Sequence, residues 1–363
     1  MPKLYTISNE WSPQIWFNTG GTRAKKYLQS PDGKFYYFKR SQYKEPTAVK
    51  PGKDFIYEFW SEVIAYEVGT MLGFNVLRYD IAIDGEIMGC ISESMVNSDN
   101  EELIEGIQYI KSFSPSFDPN IKEHKTWYTF DLIERSIKNA SLEFILTNIL
   151  EIIVFDAIIG NGDRHQENWA VINEQKMISD IIVDIPDEEI NESNRLSKLI
   201  FKWVKNYYKR KVHFFQKKHE QKQLPSIFYT TLKRFAPIYD SGSSLGRELT
   251  SDRIDLFLKS PIDLNRYIDN GMSEIHWGNE KLSHFDLINQ LLQTNYRRDI
   301  EIIIERVLQR VDKNRISDII NTVDELVPDR LIKYKIPDNR KQFMIKLITL
   351  RIEKIRTLVH ERV

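Results

Sequence analysis

Two long segments of the chain place their hydrophobic residues at helical spacing. Residues 144–159 are largely apolar, and Ile145, Ile149 and Ile152 recur every three or four positions, which predicts a buried helix. Residues 54–73 show the same spacing and end at a glycine. A second, amphipathic helix is therefore expected there.

Alternating hydrophobic positions predict strands near the N-terminus. Residues 34–40 alternate and follow a Ser-Pro-Asp-Gly sequence at 30–33, which is typical of a tight turn between two strands. Residues 75–91 alternate on both sides of Asp84 and Gly85, so a second hairpin is expected. Helical patterns then dominate the C-terminal part, and the candidate segments are 252–258, 283–292, 299–311, 315–326 and 337–359.

Length and composition exclude some classes of protein. A chain of 363 residues exceeds one ordinary domain and suits a two-lobed one. A hydrophobic content of 41% and an aromatic content of 12% exclude global disorder. The net charge of −1 gives no general reason to expect nucleic-acid binding. Cys90 is the single cysteine, so no intramolecular disulfide can form.

The N-terminal residues lack the basic and apolar pattern of a signal peptide. The most apolar run, 144–159, contains Glu151 and Asp156 and is too short to span a bilayer. We therefore expect a soluble, cytoplasmic protein.

The segment 160–169 carries the strongest chemical pattern. Its glycines predict the end of the preceding helix, and a short apolar strand is expected after it. Between them Asp163 and Asn168 stand five residues apart, with His165 between them. This is the spacing of a phosphoryl-transfer catalytic loop, in which the aspartate faces the acceptor hydroxyl and the asparagine holds a metal ion. The plainer alternative is that Asp163 and Asp240 are a helix cap and a turn residue.

The sequence from Asn161 to Asn168, Asn-x-Asp-Arg-His-x-x-Asn, resembles the catalytic loop of HipA-like serine/threonine kinases and of the phosphatidylinositol kinase catalytic domain. A second segment, about 236–247, begins Ala-Pro-Ile-Tyr-Asp240 and resembles the HipA-type metal-binding segment. The resemblance implies a bilobal, protein-kinase-like α+β fold with a small mixed β N-lobe and a mostly helical C-lobe. It also implies ATP and Mg²⁺ as cofactors, Asn168 and Asp240 as metal ligands, and Asp163 as the residue that accepts the proton.

Lys39 lies on the inward face of a predicted strand, where a lysine is costly without a partner. The resemblance implies that it binds the nucleotide phosphates and pairs with a helix glutamate. We expect Glu62 in that role, with Glu58 as the alternative. His165 is titratable and is a catalytic candidate, although we expect it mainly to brace the loop by hydrogen bonding.

Two further nucleotide-binding segments are expected. Gly20 and Gly21, with Thr22 and Lys25 nearby, could bind phosphates through backbone N–H groups, or they could form an ordinary hairpin turn. HipA-type loops often carry an autophosphorylated serine, and Thr22 or Thr19 would take that place here. Residues 92–96, with Glu93 and Met95, are expected to form the hinge whose backbone contacts adenine.

The predicted lobes are residues 1–97 and 98–363, and the second contains an insertion at about 176–234. Within it, residues 195–222 are strongly basic with interleaved aromatic residues, which suggests amphipathic helices. They could bind nucleic acid or an acidic membrane surface. The alternative is a packed helix whose solvated basic face is partly neutralised by the acidic residues before it. The resemblance suggests an antitoxin-like partner too, although the chain leaves no room for the usual N-terminal subdomain, so a short form is expected.

Three functions are consistent with the sequence. The first is a kinase of HipA type that phosphorylates Ser or Thr of a protein substrate, as a toxin-like regulator. The second is a lipid or small-molecule kinase with the same loop. The third is a non-catalytic pseudokinase or nucleic-acid-binding regulator, against which the complete set of Lys39, Asp163, Asn168 and Asp240 argues.

Overall fold

The computed structural model describes residues 2–14, 25–41, 43–44, 53–188, 195–220 and 229–360. Contacts divide the chain into two compact units. Unit 1 comprises Met1–Met95, Glu105–Ala170 and Ala236–Val363, and unit 2 comprises Val96–Ile104 and Val171–Phe235. The boundary between lobes at residue 97 stays a prediction.

Unit 1 begins with a six-stranded sheet in the order β1-β7-β8-β4-β3-β2. Its strands are β1 (Leu4–Ile7), β2 (Ser12–Pro13), β3 (Lys25–Gln29), β4 (Phe35–Arg40), β7 (Asp80–Asp84) and β8 (Ile87–Glu93). Strand β1 is parallel to β7, and the other neighbouring pairs are antiparallel. Two short strands, β5 (Tyr43–Lys44) and β6 (Lys53–Asp54), form a separate ribbon.

The two faces of the sheet have different coverings because successive residues of β4 point to opposite sides. Tyr36 and Phe38 belong to a buried cluster with Ile91, over which Tyr5 and Trp11 pack. Lys39 points to the other face. Helix α1 (Glu58–Leu72) packs against β8 and ends at Gly73, whose φ of 89° is the left-handed conformation that closes a helix.

The remainder of unit 1 is mostly helical. Its helices are α2 (Gly106–Phe113), α3 (Phe130–Asn139), α4 (Leu146–Ile159), α7 (Ser251–Lys259), α8 (Pro261–Asp269), α9 (His284–Leu291), α10 (Arg297–Arg310), α11 (Lys313–Thr322) and α12 (Asp338–His360). Helix α4 is apolar on almost all sides because α9, α10 and α12 pack around it. It is the core of this part of the molecule.

Unit 2 is built on a three-stranded sheet in the order β11-β10-β9. Its strands are β9 (Glu101–Glu105), β10 (Ala170–Met177) and β11 (Tyr229–Phe235). Two helices, α5 (Ile178–Asp184) and α6 (Arg195–Glu220), lie between β10 and β11 in the sequence and pack on each other. Among the described residues, we find no helix with the length and apolarity needed to cross a bilayer.

The structure confirms the predicted α+β fold, with a β-sheet N-terminal part and a mostly helical C-terminal part. The predicted hairpins and the helices at 54–73 and 144–159 are present as β3–β4, β7–β8, α1 and α4. Several elements were not predicted, among them strand β11 and helix α8. Sequence patterns missed β11 because its residues are polar and largely exposed, so no hydrophobic alternation marks it.

Candidate active site

The loop 160–169 begins where α4 ends. Gly160 adopts a φ of 69°, and its N–H donates to the carbonyl of Asp156 at 2.8 Å. The last residue of the loop, Trp169, is 1% exposed and donates from Nε1 to the Tyr128 hydroxyl at 3.2 Å. Both ends of the loop are therefore fixed to buried elements.

Arg164 holds the middle of this loop. Its guanidinium is buried and forms a bidentate pair with Asp156, at 2.9 Å from Nε and 2.8 Å from Nη2. Nη1 donates to the carbonyls of Asn168, at 3.1 Å, and of Tyr239. Burial lowers the pKa of Arg164, but the Asp156 carboxylate outweighs it and raises the pKa overall. The side chain thus joins α4, the loop and the segment around residue 240.

The polar side chains of the loop are ordered by internal hydrogen bonds. Asn161 Nδ2 donates to Asp156 Oδ1 at 3.0 Å. Asn168 Nδ2 donates to the carbonyl of Asp163 at 2.7 Å, which leaves its carboxamide oxygen as an acceptor. His165 Nδ1 accepts from the N–H of Glu167 at 3.3 Å, a contact within the loop itself.

Lys39 lies at the centre of a buried polar cluster. Its Nζ donates to the Tyr79 hydroxyl at 2.9 Å and to Glu62 Oε1 at 3.2 Å, and it lies 3.5 Å from Asp240 Oδ1. Burial lowers the pKa of Lys39, but the carboxylates of Asp240 and Glu62 outweigh burial and raise the pKa well above the ordinary lysine value. The ammonium therefore stays charged although the residue is 7% exposed.

The segment 236–247 is positioned by backbone hydrogen bonds to distant elements. Ala236 N–H donates to the carbonyl of Ala170 at 2.9 Å, and Leu245 N–H donates to that of Ile159 at 3.0 Å. Asp240 has a φ of 58°, a left-handed conformation that aspartate tolerates better than most residues. A hydrogen bond helps to hold this backbone conformation, since the N–H of the next residue, Ser241, donates to Glu62 Oε2 at 2.7 Å.

Asp163 is linked to the same segment. Its Oδ2 accepts from the Ser243 hydroxyl at 3.0 Å. Ser243 follows Asp240 by three residues, so the carboxylates of Asp163 and Asp240 are both tied to one short stretch of chain. Glu62 bridges Lys39 to that stretch from the other side.

Of the two glutamates considered for pairing with Lys39, Glu62 makes the contact. Glu58, the alternative, is also buried but pairs with Arg247. Strand register places Lys25 directly opposite Lys39, on the same face of the sheet.

Of the remaining predicted nucleotide-binding residues, Glu93 is not brought to this cluster. Glu93 stands opposite Tyr36 in the register, on the other face of the sheet, and its exposed side chain pairs with Lys34 at 3.0 Å. Met95 is half-buried beyond the end of β8. A hinge contact through their backbones stays a prediction. Gly20, Gly21, Thr22 and Thr19 lie outside the described residues.

A cavity of about 640 Å³ lies away from this cluster. Tyr5, Trp11 and Tyr36 line it, which places it on the sheet face opposite Lys39. Charged groups at its rim are paired with each other, as Lys34 is with Glu93 and Arg78 with Asp80. It is separate from the site described above.

The donor set at Asn168 and Asp240 fits a magnesium ion, because Mg²⁺ prefers carboxylate and carboxamide oxygens and phosphates. A buried, charged Lys39 fits the phosphates themselves. Sequence reasoning missed three contributors to this site: Tyr79, Ser241 and Ser243. Tyr79 stood within an alternating apolar run, and the two serines had no pattern that separated them from turn residues.

The fold is similar to that of a solved kinase. The structure of a Helicobacter pylori proinflammatory kinase, CtkA, matches with a TM-score of 0.65 and 17% identity, over 99% of this chain and 98% of that chain. Shewanella oneidensis HipA, solved with HipB and operator DNA, matches with a TM-score of 0.40 and 11% identity, over 94% of this chain and 66% of that one. No protein-family model and no curated protein sequence matches the chain. The chain therefore has a kinase-like fold.

Proposed function

We propose that this chain is an ATP- and Mg²⁺-dependent kinase of HipA type that phosphorylates Ser or Thr of a protein substrate. The observation that carries the proposal is the cluster of Lys39, Glu62 and Asp240, tied to Asp163 through Ser243. A structural ion pair alone would not need a left-handed aspartate, a buried lysine and a loop carboxylate that is hydrogen-bonded to the same short stretch of chain. The kinase-like fold supports the same conclusion.

In this proposal Lys39 binds the nucleotide phosphates. Glu62 accepts from both Lys39 and the Ser241 N–H, so it sets the distance between the lysine and the 240–243 stretch. The raised pKa of Lys39 keeps the ammonium charged throughout the physiological range, where it neutralises phosphate charge. Lys25, across the register from Lys39, adds a second cation on the same face.

Asn168 and Asp240 would hold Mg²⁺, which when bound neutralises charge on the transferred phosphoryl group. Asp163 accepts the proton of the substrate hydroxyl and orients that hydroxyl for attack. The Ser243 hydroxyl fixes one oxygen of Asp163, which leaves Oδ1 for the substrate. Arg164 keeps the loop at the correct distance from the 240–243 stretch.

The test is transfer of labelled phosphate from ATP in the presence of Mg²⁺, with cell lysate as a source of substrate. Asp163→Ala and Asp240→Ala should each lower the rate by about a hundredfold or more. Asp318→Ala removes an exposed carboxylate on α11 and should leave the rate unchanged. Circular dichroism checks that each variant is folded. Retained transfer in folded Asp163→Ala or Asp240→Ala would refute the proposal.

The same experiment distinguishes the other functions. Label in a lipid extract, with none in protein, would identify a lipid kinase that uses the same loop. No label under any condition would identify a pseudokinase. Mass spectrometry of the chain itself tests autophosphorylation at Thr22, which stays a prediction from the resemblance, as does an antitoxin-like partner.

A further inference from the structure

Helix α6 exposes a strip of large apolar side chains. Leu199 is 62% exposed, Ile200 53%, Trp203 71% and Tyr207 46%. Leu199 and Ile200 precede Trp203 by four and three positions, and Tyr207 follows it by four, so all four lie on one face of the helix. Such a contiguous exposed patch is uncommon on a soluble protein and marks a surface that meets a partner.

The strip lies on the side of α6 that unit 2 leaves uncovered. Val204 and Tyr208 are partly buried, and Lys205 is 7% exposed, with its Nζ donating to Asp187 Oδ1 at 2.8 Å and to the carbonyl of Ile185. These three residues are on the face that packs toward α5, about half a turn from Trp203. Packing within unit 2 therefore accounts for one face of α6 and leaves the apolar strip without a covering element among the described residues.

The charged residues of α6 are almost all positive. The helix carries nine lysines and arginines and one glutamate. Lys202, Lys209 and Arg210 are exposed beside the strip, and none of them forms an ion pair with any other described residue. Asp187 contacts Lys205, and the lowered pKa of Asp187 reflects first that contact and then attraction by Lys209 and Lys202. Among the described residues, Lys205 is the α6 cation that forms an ion pair with a carboxylate.

We propose that α6 binds the surface of an anionic lipid bilayer, with its apolar strip in the headgroup region and its basic residues against the lipid phosphates. A helix with a basic face and a Trp- and Leu-containing apolar face is the form that lies in a membrane interface. Trp203 and Tyr207 are the residue types that prefer that depth. The 26 residues of α6 span about 39 Å, so several lipids would contact it at once.

The side chains fit lipid better than nucleic acid. Leu199 and Ile200 are more than half exposed, and on nucleic acid the thymine methyl is the one apolar group that a base edge offers to such side chains, whereas a bilayer offers acyl chains throughout. The rings of Trp203 and Tyr207 stack on each other, with centroids 6.1 Å apart and planes at 19°.

The test is co-sedimentation of the full chain with phosphatidylcholine vesicles, with or without about one third phosphatidylserine. Wild type should bind only the anionic vesicles. The charge variant Lys202→Gln, Lys209→Gln, Arg210→Gln should bind about a hundredfold more weakly, from about fivefold per cation near the surface. The apolar variant Leu199→Gln, Trp203→Gln should lose about tenfold or more.

Matched controls change the same number of exposed residues elsewhere. Lys111→Gln, Lys122→Gln, Lys125→Gln removes three cations, and Ile262→Gln, Ile332→Gln removes two exposed aliphatic side chains. Both controls should bind like wild type.

Three results would overturn the proposal. The first is no binding to anionic vesicles, or equal binding to neutral ones. The second is an apolar variant that binds as well as wild type. The third is binding to a single-stranded oligonucleotide, abolished by the charge variant, without binding to vesicles. Quenching of Trp203 fluorescence by brominated lipid, compared between wild type and Trp203→Phe, measures insertion of the strip directly.

Discussion

Lys39 shows how this fold keeps a charge in a nearly dry position. An isolated buried ammonium would lose its proton, but two carboxylates and the Tyr79 hydroxyl surround this one. The arrangement makes each partner dependent on the others, because removing one leaves a buried charge uncompensated. The cluster is consequently a structural unit as well as a chemical one.

At the same scale, Ser243 is expected to position Asp163 without taking part in the reaction. Ser243→Ala removes one hydrogen bond to the carboxylate and should lower kcat about tenfold, while KM for ATP stays unchanged. Ser243→Thr keeps an O–H donor and should recover most of the rate. Steady-state kinetics of the three proteins measure this. A change in KM with constant kcat would instead place Ser243 at the nucleotide.

His284 predicts a pH dependence of stability. Burial, followed by the nearby cations Arg351 and Lys281, holds the pKa of His284 well below its usual range, so the folded protein keeps it neutral. As pH falls through about 6.5, the unfolded chain binds a proton that the folded chain cannot. The free energy of unfolding should then fall by up to about 1.4 kcal/mol per pH unit.

Urea titrations between about pH 7 and pH 5 measure that slope. His284→Gln should flatten it, whatever its own effect on stability at neutral pH. His360→Gln, which changes an exposed histidine on the last helix, should leave the slope as in wild type. An unchanged slope in His284→Gln would show that other groups cause the acid sensitivity.

Single residues were predictable from the sequence where local chemistry decided the outcome. Asp163 and Asn168 were predicted from the five-residue step between them. Lys39 was predicted because it lies on the inward face of a strand. Glu62 was expected to pair with Lys39 on the basis of the resemblance, but the reason that Glu58 does not is not visible in one helix. The reason is that Arg247, far along the chain, pairs with Glu58.

At the scale of elements, the first residue of α2, Gly106, lies very close to the last residue of the loop, Trp169. A Cβ at Gly106, the first residue of α2, would lie 2.1 Å from Trp169 Cε2. Gly106 N–H also donates to the Trp169 carbonyl at 2.8 Å, so neither backbone can retreat. Only glycine lets α2 start at this distance from the residue that follows Asn168.

Gly106→Ala should therefore destabilise the protein by about 1–3 kcal/mol, and it should lower kinase activity because Trp169 must move. Ser112→Ala on the exposed side of the same helix should change stability by less than about 0.5 kcal/mol. Chemical denaturation and the phosphate-transfer assay measure the two effects. A Gly106→Ala protein as stable as wild type would mean that the ring has another position available.

Elements with strong periodicity, α1 and α4, were predicted almost to their ends, and their glycine caps explain why. The elements of unit 2 were harder to predict from the sequence. The exposed, polar residues of β11 carry no alternation, and only pairing with β10 makes them a strand.

At the scale of the whole molecule, we expect that α5 and α6 can be deleted without unfolding the rest of the protein. Strands β10 and β11 pair in register from Val171–Phe235 out to Met177–Tyr229. Replacing residues 178–228 by Asn-Gly should join the two strands as an ordinary hairpin. The free energy of unfolding should not fall, since closing the short turn costs about 3 kcal/mol less than closing the long connection, at about 0.6 kcal/mol per halving of its length.

This shortened protein should keep phosphate transfer to its substrate and lose binding to anionic vesicles. Both assays on one preparation test the separation of the two properties. A shortened protein that folds but has no kinase activity would show that catalysis requires the deleted helices.

The hydrogen bond between Ala236 and Ala170 has a consequence for how such a protein can change over time. The chain leaves unit 1 after Ala170 and returns to it at Ala236, and these two residues are hydrogen-bonded to each other. Insertions or deletions between them therefore need not shift any group around Lys39. Natural variation in chain length should therefore concentrate between Ala170 and Ala236. An engineer could likewise insert a different module there without redesigning the cluster around Lys39.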